Sequence, residues 1–158
     1  MAARDTVKAL AETFGAITRA AGSPALIERI RELSGVGLHR SALVTLWRLA
    51  NSGPQLISEL ADGVGVDAST MSRLLRQLER EGLVKRGRDA SDLRCVQITI
   101  TAAGRRAHER VAVARSVMLT EVLDGWQQED RDAFVLLLER FSEGFVEYLD
   151  RPQATLVA

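Results

Sequence analysis

The sequence predicts a mainly α-helical fold carrying one small β-hairpin, and three observations predict it. Apolar residues recur at three- and four-residue steps through most of the chain. That period gives way to alternation near residue 96, where Val96, Ile98 and Ile100 interleave with Cys95, Gln97 and Thr99, the pattern of a half-buried strand. Glycine, proline and capping residues cut the helical stretches into pieces of ordinary length. With 158 residues, 46% of them apolar, the chain is long enough to build a real core.

Each element follows in order. Val7, Leu10, Phe14 and Ile17 lie on one face of a helix expected from about Asp5 to Ala21, closed by Gly22. Ser23 is placed to cap the next helix with Pro24 at its first position, and Leu26, Ile27, Ile30 and Leu33 form its stripe up to "SGVG". Leu43, Leu46, Trp47 and Ala50 mark a short helix whose spacing makes Trp47 a core residue, ended by "NSGP". Pro54 is expected to open another helix, turning Leu56, Leu60 and Ala61 inward. After "GVGV", Asp67 is a good cap for a helix with Met71, Leu74, Leu75 and Leu78 on one face, ending near Gly82. "LVKRGR" then pairs with the alternating strand, with "DASD" at the hairpin tip. The helical period returns at Ala107, Val111, Ala114, Met118 and Val122 and breaks at Gly125. A last helix carries Phe134, Leu137, Leu138, Phe141, Phe145, Tyr148 and Leu149.

A helix, two helices joined by a tight turn and then a hairpin is the order of a winged helix-turn-helix. Charge follows the same order. The whole chain is neutral, with 21 basic and 21 acidic residues, yet Ser69 to Arg106 holds nine basic residues against four acidic ones, so this segment is +5 and the remainder −5. On the second helix of the turn, Ser69, Thr70, Arg73, Gln77 and Arg80 lie away from the apolar stripe. Those side chains suit a major groove, since arginine can bond guanine in bidentate fashion, glutamine can do so with adenine, and hydroxyls can meet phosphates or bases. A plain solvated face, or a protein-contact module of the same shape, is the alternative.

The stretch "ISELADGVGVDASTMSRLLRQLEREGLVKRGRDASDLRCVQITITAAG" resembles the DNA-binding core of the MarR family of bacterial transcription regulators. The "QLEREGLVKR" exit from the second helix, Asp92-x-Arg94, and Thr101-x-x-Gly104 are its most specific marks. The resemblance implies a repressor that binds double-stranded DNA as a homodimer on a pseudo-palindromic operator. It also implies release by a small aromatic or phenolic effector, which Trp47, His39, Arg40 and Phe14 could approach. Arg94 is implied to enter a minor groove from the wing tip, where narrow A·T stretches favour arginine. Asp92, two residues away, points to the same side in extended structure and can hold that guanidinium in one orientation. Lys85, Arg86 and Arg88 become neighbouring phosphate contacts, and Asp89 a turn residue. The dimer is expected to use Val7, Leu10 and Phe14 at one end of the chain with Phe134, Leu138, Phe141 and Phe145 at the other; an enlarged monomer core explains the same stripes equally well.

The expected layout is therefore N-terminal helices over 1–37, a winged module over 38–100, C-terminal dimerisation helices over 101–150 and a flexible tail over 151–158. No enzyme signature keeps its context. "HERVA" begins like a zinc-protease helix but has Ala112 where the second histidine belongs, and "GVGVDA" follows a helix where a dinucleotide fingerprint needs a strand. No metal, cofactor or membrane contact is expected. His39 and His108 read as surface or interhelix residues. The single Cys95 and a charged N-terminus point to the cytoplasm, with Cys95 open to redox chemistry through its cationic neighbours.

Overall fold

The computed structural model describes residues 2–88 and 96–151. The chain divides into two units, one ending at Ser116 and the other beginning at Val117. In the first, α1 (Ala2–Ala21) and α2 (Pro24–Ser34) precede α3 (Arg40–Ser52), β1 (Gln55–Leu56), α4 (Ile57–Val64), α5 (Ala68–Arg80), β2 (Val84–Arg88), β3 (Val96–Ile100) and α6 (Ala102–Val122), which runs on into the second unit. α7 (Gln128–Asp150) completes the second.

The caps read from the sequence form. Ser23 Oγ accepts the Leu26 amide at 3.3 Å at the start of α2, and Asp67 accepts the Thr70 amide at 2.8 Å at the start of α5. Between α4 and α5 the chain must reverse at Gly65, whose φ of 74° is left-handed and costs glycine nothing. Its amide closes on the Ala61 carbonyl at 2.9 Å, which ends α4 and fixes the turn.

Two expectations at helix starts are corrected. α1 begins at Ala2, earlier than Asp5. Pro54 opens no helix: Gln55 and Leu56 form β1, which pairs antiparallel with β3 through Gln55–Ile98 and Leu56–Gln97, and α4 starts only at Ile57. Leu56 is therefore the cap residue, and Glu59 reaches back to accept its amide at 2.8 Å. The predicted hairpin forms as β2 against β3, Val84 opposite Ile100 and Arg86 opposite Ile98, giving a sheet of order β1-β3-β2.

The core of the first unit joins α2, α3, α4, α5, β2, β3 and α6. Leu46 and Leu49 of α3, Leu60 of α4, Met71, Leu75 and Leu78 of α5 and Ile98 of β3 are fully buried, with Val84, Ile100 and Val111 of α6 beside them. This packing sets the roll of α5 about its axis, so the face opposite Leu75 must look outward. Trp47 is not part of the core. It is 47% exposed, while its helical neighbours Leu43 and Leu46 are buried.

α6 is locked to the end of α5 by backbone. Thr101 donates its amide to the Leu83 carbonyl at 3.0 Å, and Thr101 Oγ1 lies 2.7 Å from the carbonyl oxygen of Gly82 and accepts the Gly104 amide at 3.1 Å. Gly104 stands where a Cβ would come within 2.1 Å of the Leu83 carbonyl oxygen. The Thr101-x-x-Gly104 pair thus has a geometric reason, a hydroxyl clasp and a missing side chain.

In the second unit, Arg131 donates to the Leu123 carbonyl at 2.9 Å across the α6–α7 turn, and Trp126 meets Phe134 edge to face at 5.6 Å. α7 keeps its apolar stripe exposed: Phe134, Leu138, Phe141 and Phe145 are all accessible, and Phe141 stacks on Phe145 at 6.0 Å. On α1, Val7, Leu10 and Phe14 are exposed as well.

Candidate nucleic-acid interface

α5 presents its outward face as the burial of Leu74, Leu75 and Leu78 requires. Ser69, Arg73, Arg76 and Arg80 are exposed, and Thr70 and Gln77 are half-buried. Thr70, Arg73, Arg76, Gln77, Glu79 and Arg80 line one side of a groove of about 930 Å³ whose other side is formed by His39 and Ser41 at the start of α3. Arg76 carries no assigned role in the sequence reading, and His39 is expected there at the surface, between helices or near an effector, not beside α5. Their place in the groove depends on the crossing of α3 with α5, which no local pattern reports. A second depression, about 420 Å³, lies beside α6 and is lined by Leu33, Ser34, Arg106, Glu109, Arg110 and Val113.

Arg76, Gln77 and Arg80 of α5 are held along the helix by their own bonds. Arg76 Nε donates to the Ser72 carbonyl and Arg80 Nε to that of Arg76, each at 3.3 Å, and Gln77 donates to Glu81 at 2.9 Å. At the N-terminal end, Asp67 gathers three donors: the Thr70 amide at 2.8 Å, Thr70 Oγ1 at 2.7 Å and Ser69 Oγ at 2.5 Å. The hydroxyls of Ser69 and Thr70, followed by the Thr70 amide, hold the Asp67 carboxyl well below the usual carboxylate range.

On the wing, Lys85 and Arg86 are exposed on β2, and Arg88 ends that strand. Arg86 is less available than its exposure suggests. Its Nε donates to Glu79 of α5 at 3.2 Å, tying the first wing strand to the helix. Asp89, Asp92, Arg94 and Cys95 lie outside the described residues. Among the described residues, no group of three His, Cys, Asp or Glu side chains could hold a metal ion, and no helix is long and apolar enough to cross a membrane.

Residues 38–96 match the family model described as MarR family. Over 110 residues the chain is 32% identical to YxaD of Bacillus subtilis strain 168, an uncharacterized HTH-type transcriptional regulator, covering 70% of this chain and 77% of YxaD. The chain belongs to the MarR family. Its fold is similar to that of a MarR family protein from Bacillus stearothermophilus, with a TM-score of 0.77 and 26% identity over 92% of this chain and 99% of that one. It is also similar to the transcriptional regulator BldR from Sulfolobus solfataricus, with a TM-score of 0.63, 25% identity, and coverage of 89% and 99%. As a MarR-family protein the chain is a helix-turn-helix transcription regulator, with α4 and α5 as the helix-turn-helix and β2–β3 as the wing.

Proposed function

We propose that the chain binds double-stranded DNA sequence-specifically as a homodimer and represses transcription from a pseudo-palindromic operator. Residues 38–100 form the DNA-binding part in this reading, and 1–37 with 101–150 form the dimerisation part. One observation carries it: three of the nine basic residues of the +5 segment, Arg73, Arg76 and Arg80, share one outward face with Gln77 on the helix that a helix-turn-helix inserts into the major groove. Ser69, Thr70, Arg73, Gln77 and Arg80 are assigned to the groove; Lys85, Arg86, Arg88, Asp92 and Arg94 to the wing. The exposed stripes of α1 and α7 support pairing, because apolar faces of this length on a lone chain favour association. Relief by a small aromatic or phenolic effector extends the reading, with the arginine-lined depression beside α6 as its proposed place.

The test is selection of bound duplexes from a random DNA pool with the purified chain, followed by footprinting and sedimentation. The expected result is two inverted half-sites about one helical turn apart, roughly 10 bp centre to centre, and a dimer at micromolar concentration. No enrichment over random DNA, a single unpaired half-site, or a monomer in sedimentation overturns it.

A further inference from the structure

We infer that Thr70, with Ser69 beside it, reads the operator as a hydrogen-bond acceptor and so selects a base that offers an amino group in the major groove, cytosine or adenine. The inference rests on the reading of α5 as the helix that enters the groove.

The chemistry is set by proton count. Thr70 Oγ1 lies 2.7 Å from Asp67 Oδ2, and Ser69 Oγ lies 2.5 Å from Asp67 Oδ1. An ionised carboxylate has no hydrogen to give, so the proton in each contact comes from the hydroxyl. A hydroxyl has one proton and two lone pairs. With the proton committed to Asp67, each oxygen faces outward with lone pairs alone. The amide of Thr70 is committed to the same carboxylate, so the first turn of α5 offers fewer donors to a phosphate than a bare helix end would.

A partner must therefore donate. Phosphate oxygens cannot, nor can guanine O6 and N7 or thymine O4, which are acceptors; in the major groove the donors are cytosine N4 and adenine N6. Thr70 is half-buried and lines the same groove wall as Arg73 and Gln77, so it is placed with the side chains suited to base edges. Releasing the hydroxyl so that it could donate would sacrifice a bond to a charged acceptor, stronger than the neutral bond gained. Arg73 lies one turn further along and only donates, which places an acceptor and a donor in succession along one face.

The experiment compares the unaltered chain with Thr70→Val and Asp67→Asn by selection from a random duplex pool, then by titration of single-base variants of the selected site. The unaltered chain should require cytosine or adenine at one position of each half-site, and replacement by thymine or guanine should weaken binding by roughly tenfold, the worth of one well-placed bond. Thr70→Val, which keeps the shape and removes the hydroxyl, should bring that ratio below about twofold and leave preferences elsewhere unchanged. Asp67→Asn keeps a good cap but replaces one carboxylate oxygen with an amide donor, freeing a hydroxyl proton, so the position should broaden to admit thymine or guanine. Thymine chosen by the unaltered chain, as a contact between the threonine methyl and the thymine methyl would produce, overturns the inference, as does an unchanged preference in Thr70→Val. Either result leaves the DNA-binding reading standing, whereas failure to select any duplex overturns both.

Discussion

Replacing Gly104, a buried residue in the first turn of α6, by alanine should destabilise the protein more than a small change at an exposed position of that helix. The new Cβ would stand 2.1 Å from the Leu83 carbonyl oxygen and 2.7 Å from Ile100 Cγ1. Cβ atoms essentially never approach within 3.0 Å of another atom, so Leu83 must retreat by about 0.9 Å, and it is backbone, not the end of a flexible chain. That carbonyl also accepts the Thr101 amide at 3.0 Å, a bond that a retreat of this size breaks. Overpacking costs about 1–3 kcal/mol and the lost bond about 1 kcal/mol, while the better helix propensity of alanine returns up to about 1 kcal/mol. The net loss is about 1–4 kcal/mol, or roughly 2–16 °C in Tm for a chain of this size. Urea denaturation at fixed protein concentration, so that any association is held constant, measures it against Gly37→Ala, whose Cβ meets nothing within 4 Å. A Gly104→Ala variant within about 0.5 kcal/mol of that control would refute the close-approach argument.

Two further outcomes concern DNA. Arg73→Ala should cost about 1–3 kcal/mol on the selected operator and relax its sequence preference, whereas Lys85→Ala should weaken all sequences alike and make the salt dependence shallower by nearly one ion; equal losses for Arg73→Ala on operator and random DNA would sink the assignment. Glu79→Gln should leave stability almost unchanged, since an exposed ion pair contributes little, yet it frees Arg86 for phosphate, so binding to random duplex should tighten and the salt slope steepen by nearly one. An unaltered slope for Glu79→Gln shows that the pair does not restrain Arg86.

How far the sequence could be read follows the range of the interactions concerned. α5 was legible because everything that defines it is local: the Asp67 cap, the four apolar residues at helical steps, and the glycine after its end. β1 was not, because two residues have no period and Pro54 looks the same before a strand as at a helix start. Trp47 shares its spacing with buried neighbours but sits at the rim of their stripe, an angular offset that a list of apolar residues does not resolve. Within the candidate interface, the outward residues of α5 were found from periodicity, while the Glu79–Arg86 pair spans a helix end and a strand, and His39 enters through the crossing of α3 with α5. The cap at Asp67 could be read; that it also consumes the protons of two hydroxyls could not, because that depends on rotamers.

The acids among the basic residues then have a common physical sense. An acid beside basic residues, such as Glu79, counts as a subtraction from an anion-seeking surface, but Asp67 and Glu79 are each hydrogen-bonded to a side chain assigned to DNA: Asp67 to Ser69 and Thr70, Glu79 to Arg86. Asp92, two residues before Arg94, repeats in sequence the interval of Asp67 and Ser69. A carboxylate in such a place weakens attraction to any phosphate backbone, which lowers affinity for all sequences together. It also fixes the direction of its partner before binding, so less side-chain freedom is lost when the correct bases are met. The first effect applies equally to operator and random DNA, and the second only where bases complete the contact. Their difference raises the ratio of specific to non-specific binding, the quantity that matters for a regulator facing a genome of competing sites. On this argument, removing an acid should generally trade specificity for affinity, and Glu79→Gln is the case in which the two are most readily separated, because its partner lies on the wing strand, away from the α5 face assigned to base reading.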